Sequence, residues 1–235
     1  MESTQKTITA RGYMTRLEYS GESFIESAYG PMRLSRDETL LWSCARGNVV
    51  TEAKICDVYY LTARRMGFAV ADIGEVFVKL LKKNVISFGR DDNIPDAMYR
   101  MLCQGIFSIA GDIGYDGDNI APVDHGLYFE PVHIAPTPIA MELWNDANVL
   151  AQRIATDEWT LPELVRNTEK GYPVTLTQDE LFEEYRRNHP RRVISLNFFA
   201  TEEQSLKDVY YKTDIGRHVA KCLEQLILAQ RIVLL

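Results

Sequence analysis

Asp72-Ile73-Gly74 and Asp214-Ile215-Gly216 each open an amphipathic stretch, and each follows a Leu-Trp pair carried on an earlier helical stretch. The first copy reads Leu41-Trp42, then Asp72-Ile73-Gly74-x-x-Phe77-x-Lys79-x-Leu81. The second reads Leu143-Trp144, then Asp214-Ile215-Gly216-x-x-Val219-x-Lys221-x-Leu223. A pattern that recurs along a chain reports one structural unit used twice, and no single motif here restricts the fold as much. Trp42 and Asp72 are 30 residues apart and Trp144 and Asp214 are 70 apart, so the second copy carries about 40 residues more. A chain of 235 residues accommodates two domains of roughly 100 residues each.

The punctuation of the first copy suggests its elements. Residues 15–19 and 23–29 alternate apolar and polar side chains across Ser20-Gly21-Glu22, a hairpin signal, and Met32-Arg33-Leu34 returns as a short strand after Gly30-Pro31. Ser35-Arg36-Asp37-Glu38 matches a capping box for a helix that carries Leu40, Leu41 and Cys44 and ends at Gly47-Asn48. A second helix is predicted over 51–66 and a third over 72–83, the latter with an aspartate where the helix dipole favours negative charge. Residues 84–89 then alternate like a strand. Strands, three helices and a closing strand are the parts of a winged helix-turn-helix.

The predicted class is therefore α+β: two winged-helix units, each a small β-hairpin sheet with a three-helix bundle, joined by a helical connector. Residues 1–90 form the first unit. Residues 91–125 form the connector, in which Asp91-Asp92-Asn93-Ile94-Pro95 breaks the chain, 96–110 is an apolar helix and 111–125 is a Gly/Asp-rich loop. Residues 126–235 form the second unit, with an insertion at about 150–210 and an apolar terminus, Ile232-Val233-Leu234-Leu235, expected as a buried strand. The connector helix is too apolar for water, so it is expected between the units or in a homodimer interface.

Composition narrows the function classes. Hydrophobic content of 46% and charged content of 25% are globular values, and the longest apolar run is far short of the roughly 20 residues of a membrane span. The beginning of the sequence has no signal-peptide pattern, so a cytoplasmic protein with no membrane partner is expected. Cys44, Cys56, Cys103 and Cys222 are scattered without a CxxC pair, which fits reduced thiols and offers no structural zinc site. A net charge of -7 argues against indiscriminate binding of polyanions.

The first unit, over about 15–89, resembles the PqqD-like peptide-recognition domains. The resemblance rests on the hairpin, Met32-Arg33-Leu34-Ser35, the Leu41-Trp42 helix, Gly47, and the helix from Asp72-Ile73 to Asn84-Val85-Ile86. It implies that an extended peptide adds a strand at the hairpin edge and rests on the third helix. Carried onto this chain, the peptide-binding residues would be Phe24, Ile25 and Ser27 on the strand, with Asp72, Glu75, Val76, Lys79 and Lys83 on the helix. The function so implied is non-enzymatic recognition of a peptide or protein partner, as an adaptor in peptide modification.

The alternative reading is a DNA-binding transcriptional regulator with tandem winged helices, dimeric through the connector. Its phosphate contacts would come from Arg64, Arg65, Lys79, Lys82, Lys83 and Arg90 in the first unit, and Arg217, His218 and Lys221 in the second. Both third helices begin with Asp, and neither carries the Asn/Gln/Arg cluster of base readout. Arg186, Arg187, Arg191 and Arg192 form the densest basic cluster, with Glu183 and Glu184 one turn earlier as partners. An enzyme finds no catalytic constellation in the sequence. Asp112, Asp116, Asp118, Asp124 and His125 lack EF-hand spacing, no glycine-rich phosphate loop exists, and His125 and His133 have no motif Ser or Cys partner. No catalytic residue, metal or cofactor is expected.

Overall fold

A computed structural model describes residues 4–17, 22–69, 71–109, 141–155, 159–170 and 208–235. Within them the chain is α+β, with seven helices and three antiparallel sheets of three strands. The first half runs β1 (Gln5–Ala10), β2 (Tyr13–Leu17), β3 (Ser23–Ser27), β4 (Gly30–Leu34), α1 (Arg36–Ala45), β5 (Val50–Thr51), α2 (Glu52–Arg65), α3 (Ile73–Lys82) and β6 (Ile86–Asp91). A joining helix follows, α4 (Ile94–Leu102). The second half runs β7 (Ile106–Ile109), α5 (Met141–Ile154), β8 (Trp159–Thr160), α6 (Leu161–Lys170), α7 (Asp214–Leu228) and β9 (Ile232–Leu234).

The two halves share one topology. In the first, β1 is central and pairs with β5 and β6; in the second, β7 is central and pairs with β8 and β9. Each half then reads strand, helix, short strand, helix, helix, strand. Each leaves its last helix through a left-handed residue two positions before the closing strand: Asn84 with φ 54° and Gln230 with φ 53°. Ile106–Ile109, expected in the connector, is the strand on which β8 and β9 of the second half assemble. A further sheet, ordered β2-β3-β4, stands between β1 and α1.

Local chemistry accounts for the helix starts. The Ser35 capping box is complete, with Ser35 N donating to Glu38 Oε2 at 2.7 Å and Glu38 N to Ser35 Oγ at 3.4 Å. Asp72 caps α3 as the sequence suggests, and Thr51 caps α2. The expected break at 91–95 is instead a helix entry. Asn93 caps α4 and Pro95 lies in its first turn, where a missing N–H removes no bond. α4 ends at Leu102, short of the expected 110, and the chain turns into β7.

Two hydrophobic cores result. The first gathers Ile8, Ile25, Leu41, Trp42, Tyr59, Val76 and Leu80; the second gathers Phe107, Leu150, Leu164, Val219, Leu223 and Leu226. α4 belongs to both halves. It lies on β6 at Gly89, where a Cβ would meet Ala97 O at 1.8 Å, yet Met98, Tyr99, Met101 and Leu102 fill the second core. Most of its apolar side chains are thus buried within one chain, the first of the two placements expected for the connector helix, with Ile94 left exposed.

The repeated motif is displaced by one turn. When the closing strands are matched through Asn84 and Gln230, Val76 corresponds to Cys222 and Leu80 to Leu226. Asp214-Ile215-Gly216 then stands four residues earlier than Asp72-Ile73-Gly74, about one helical turn. The caps differ as well, since Thr213 caps α7 and Asp214 sits inside its first turn. Trp144 is not the counterpart of Trp42. Matching β5 to β8 puts Ala151 there, and Trp144 lies half-buried at the core's margin beneath Arg231.

The same motif glycine thus has different neighbours in its two settings. A Cβ on Gly216 would meet Tyr210 O at 2.3 Å, whereas one on Gly74 meets only the Asp72 carboxylate, at 3.1 Å. Gly216→Ala is expected to destabilise the chain by about 1–3 kcal/mol through overpacking. Gly74→Ala should stay within about 0.5 kcal/mol of the parent, its helix-propensity gain offsetting a small shift of the cap. Urea denaturation midpoints of the two variants check this; equal losses would mean that the two glycines are equivalent after all.

Candidate functional site

α3 and α7 are the two helices that the recurrence singles out, and their surroundings differ. α7 packs against α4, α5 and α6 and buries Gly216, Val219, Ala220, Cys222, Leu223, Gln225, Leu226 and Ile227. α3 packs on α1 and β6 and buries only Val76 and Leu80. Ile73, Phe77 and Leu81 flank those anchors half-buried, with the Phe77 ring edge-on to Phe88 at 5.8 Å. The opposite side presents Glu75, Val78, Lys79 and Lys82, spaced i, i+3, i+4, i+7 and therefore one continuous stripe. Val78 is 48% exposed, an apolar side chain in the middle of a charged face.

Of the residues proposed for peptide binding, the structure keeps some and removes others. Asp72, Glu75 and Lys79 are exposed, with Asp72 capping α3 through Gly74 N at 2.8 Å and Glu75 N at 3.2 Å. Ile25, Ser27 and Val76 are buried and reach no partner. Phe24 is half-buried on β3, and β3 is the middle strand of its sheet. Its backbone is hydrogen-bonded on both sides, so the expected edge strand for peptide addition is not an edge. Lys83 is committed elsewhere, donating to Glu38 Oε2 and to the Arg33 carbonyl, both at 2.8 Å. Desolvation pushes the buried Glu38 carboxyl upward, but hydrogen bonds from Lys83 and Ser35 outweigh it and hold the carboxyl below its ordinary range.

The residues proposed for phosphate contacts divide by half. Arg64 and Arg65 at the end of α2, and Lys79 and Lys82 on α3, are exposed, and none forms an ion pair among the described residues. Arg90, exposed on β6, reaches Thr4 Oγ1 at 3.5 Å. In the second half every candidate is engaged. Arg217 forks onto Asp96 through Nε at 2.8 Å and Nη2 at 3.0 Å, His218 Nε2 lies 2.9 Å from Asp146 Oδ2, and Lys221 pairs with Glu224. α7 is a core helix, and Arg217, His218 and Lys221 each already face a carboxylate.

The ionic network that joins the halves has no local signature, because the bonds that cross between them, Asp91 to Tyr211 and Asp96 to Arg217, span 120 and 121 residues. Asp96 is 0% exposed and also accepts from Asn93 Nδ2. Asp91 accepts from Arg100 Nε at 2.7 Å and from the Tyr211 hydroxyl, and Arg100 lies 4.1 Å from the Tyr211 ring centre. Hydrogen bonds from Arg217 hold the Asp96 carboxyl below its ordinary range despite burial. Desolvation raises Asp91, but bonds from Tyr211 and Arg100 exceed it and leave that carboxyl lowered too.

One cluster has the residue types of a nucleophilic site. Cys222 Sγ lies 3.8 Å from His218 Nε2, which also meets Asp146. A Cys-His-Asp relay needs the two ring nitrogens to face different partners, and here one nitrogen faces both. Burial, with the Asp146 charge adding to it, pushes the Cys222 thiol up to about 12, so it stays protonated at neutral pH. The geometry does not build a nucleophile. Among the described residues no group of three His, Cys, Asp or Glu side chains is arranged to hold a metal ion, and no helix is long and apolar enough to cross a membrane. The Asp-rich stretch 111–125, His133 and the Arg186–Arg192 cluster lie outside the described residues.

Comparisons with protein-family models, with curated proteins and with solved structures gave no match.

The Asp91 and Asp96 carboxyls are lowered in the folded chain, so their stabilising contribution is complete above the unfolded carboxylate range, about pH 4, and is lost as pH falls through their folded values. Asp96→Asn should cost about 1.5–3 kcal/mol at neutral pH by removing the charged acceptor of the Arg217 fork. Denaturation midpoints from pH 7 to pH 2 should fall less steeply for this variant than for the parent. An identical acid slope would show that the network does not govern acid stability.

Proposed function

We propose that the chain is a non-enzymatic recognition protein that takes a peptide or protein partner on the outer face of α3. One observation carries the reading: of two helices built on the same motif, α7 is walled into the core while α3 keeps a solvent stripe with an apolar centre. The resemblance of the first half to PqqD-like winged helices points the same way and suggests an adaptor role in peptide modification. All four cysteines are free thiols, which suits a reducing, cytoplasmic setting.

DNA binding is the second reading, favoured by the exposed and unpaired Arg64, Arg65, Lys79 and Lys82. It is weaker because a tandem reader needs both third helices, and Arg217, His218 and Lys221 are paired with carboxylates. Asp72 and Glu75 also place negative charge where a recognition helix would approach phosphate.

Selection of a random displayed-peptide library on the full chain, counter-selected on a Val78→Asp/Lys79→Glu variant, is expected to enrich sequences that need the α3 face. No enrichment over the variant would sink the recognition reading. Titration into random duplex DNA at low salt should show no shift; a shift that weakens steeply with salt would favour the regulator instead.

A further inference from the structure

Every sheet edge among the described strands carries a feature that spoils it for strand addition. On β4, the Ser27–Gly30 pair closes the turn from β3, so Gly30, Met32 and Leu34 bond inward and Pro31 and Arg33 turn outward. Pro31 has no N–H to offer, and the Arg33 carbonyl accepts from Lys83. On β6, the Gln104 side-chain amide donates to Phe88 O and accepts from Phe88 N, in the manner of one extra strand residue. On β9, the Leu234 carbonyl accepts from Gly12 N at 2.7 Å. β2 is bulged between Met14 and Arg16, and β5 and β8 are two residues long. These are the devices by which sheets refuse another strand.

We infer that the partner binds through side chains and not through backbone pairing: an amphipathic helix of net negative charge laid along α3, an inference that rests on the recognition reading above. The α3 stripe of Glu75, Val78, Lys79 and Lys82 is the complement of a helix face with the same spacing. An apolar residue of the partner covers Val78, and its carboxylates meet Lys79 and Lys82, which have no ion-pair partner among the described residues. Glu75, at the first turn, repels acidic groups there and directs them to the C-terminal half of α3. The overall charge of -7 disfavours an acidic helix in general, so its attraction to this chain must come from a local group of cations, and Lys79 and Lys82 are such a pair.

The test uses the full chain and three fluorescein-labelled peptides: a Glu/Leu amphipathic helix former, its Lys/Leu counterpart, and an alternating Glu/Val strand former. By fluorescence anisotropy the Glu/Leu peptide should bind, and Lys79→Glu/Lys82→Glu should weaken it at least about tenfold and transfer preference to the Lys/Leu peptide. Both positions are exposed, so an unchanged denaturation midpoint verifies the fold of the variant. Failure of the Glu/Leu peptide to bind, indifference to the charge reversal, or tighter binding of the strand former would each overturn the acidic-helix inference. The library selection is scored separately, so enriched strand-like or uncharged sequences would retain a recognition function while removing this partner class.

Discussion

The Asp96–Arg217 pair sets the geometry on which both halves depend. A carboxylate with no solvent exposure is tolerated only when its charge is met, and the Arg217 fork with Asn93 does so. Asp96 lies in the first turn of α4 and Arg217 in the first turn of α7, so the bond fixes where the two helices cross. Gly89 then allows α4 onto β6, while Met98, Tyr99, Met101 and Leu102 complete the second core. The halves therefore share a structural helix. They are not two beads on a linker.

That shared helix explains why one topology came to serve two purposes. In the second half α4 covers one side of α7, so α7 must be apolar on most of its surface and Gly216 must admit Tyr210 O. Nothing among the described residues occupies the corresponding side of α3, and its outer stripe keeps Glu75, Val78, Lys79 and Lys82. The one-turn displacement of Asp-Ile-Gly follows the same division. The longer helix reaches the joint; the shorter one ends at the surface. Conservation of a motif along the sequence is compatible with opposite burial, because burial depends on what is stacked against the helix.

Elements fixed by local chemistry were legible in the sequence. The Ser35–Glu38 capping box and the Asp72 cap follow from contacts a few residues long. β1, β5, β7 and β8 were missed, for they are strands only by virtue of distant partners. Phe107, for example, pairs with Trp159 and Leu234. The same limit applies to the site. Exposure of α3 is readable from its spacing, but the pairing of Arg217 with Asp96, or of Lys83 with Glu38, spans the chain and has no local signature.

Charge, taken face by face, then bears on function more than the total does. The chain is acidic, and several of its described bases are paired with carboxylates: Lys83 at the β4–α1 corner, Arg100 and Arg217 at the joint, His218 and Lys221 along α7. A cation already bonded to a carboxylate offers little to a ligand, since a new partner must first displace the old one. Lys79 and Lys82 are under no such constraint, and they flank the exposed Val78 on a helix whose position is fixed by Val76 and Leu80. The neighbouring sheet edges are closed to a strand by Pro31, Lys83 and Gln104. On the recognition reading proposed above, the α3 face would offer a partner one apolar contact and two cations, and so side-chain complementarity in place of backbone pairing.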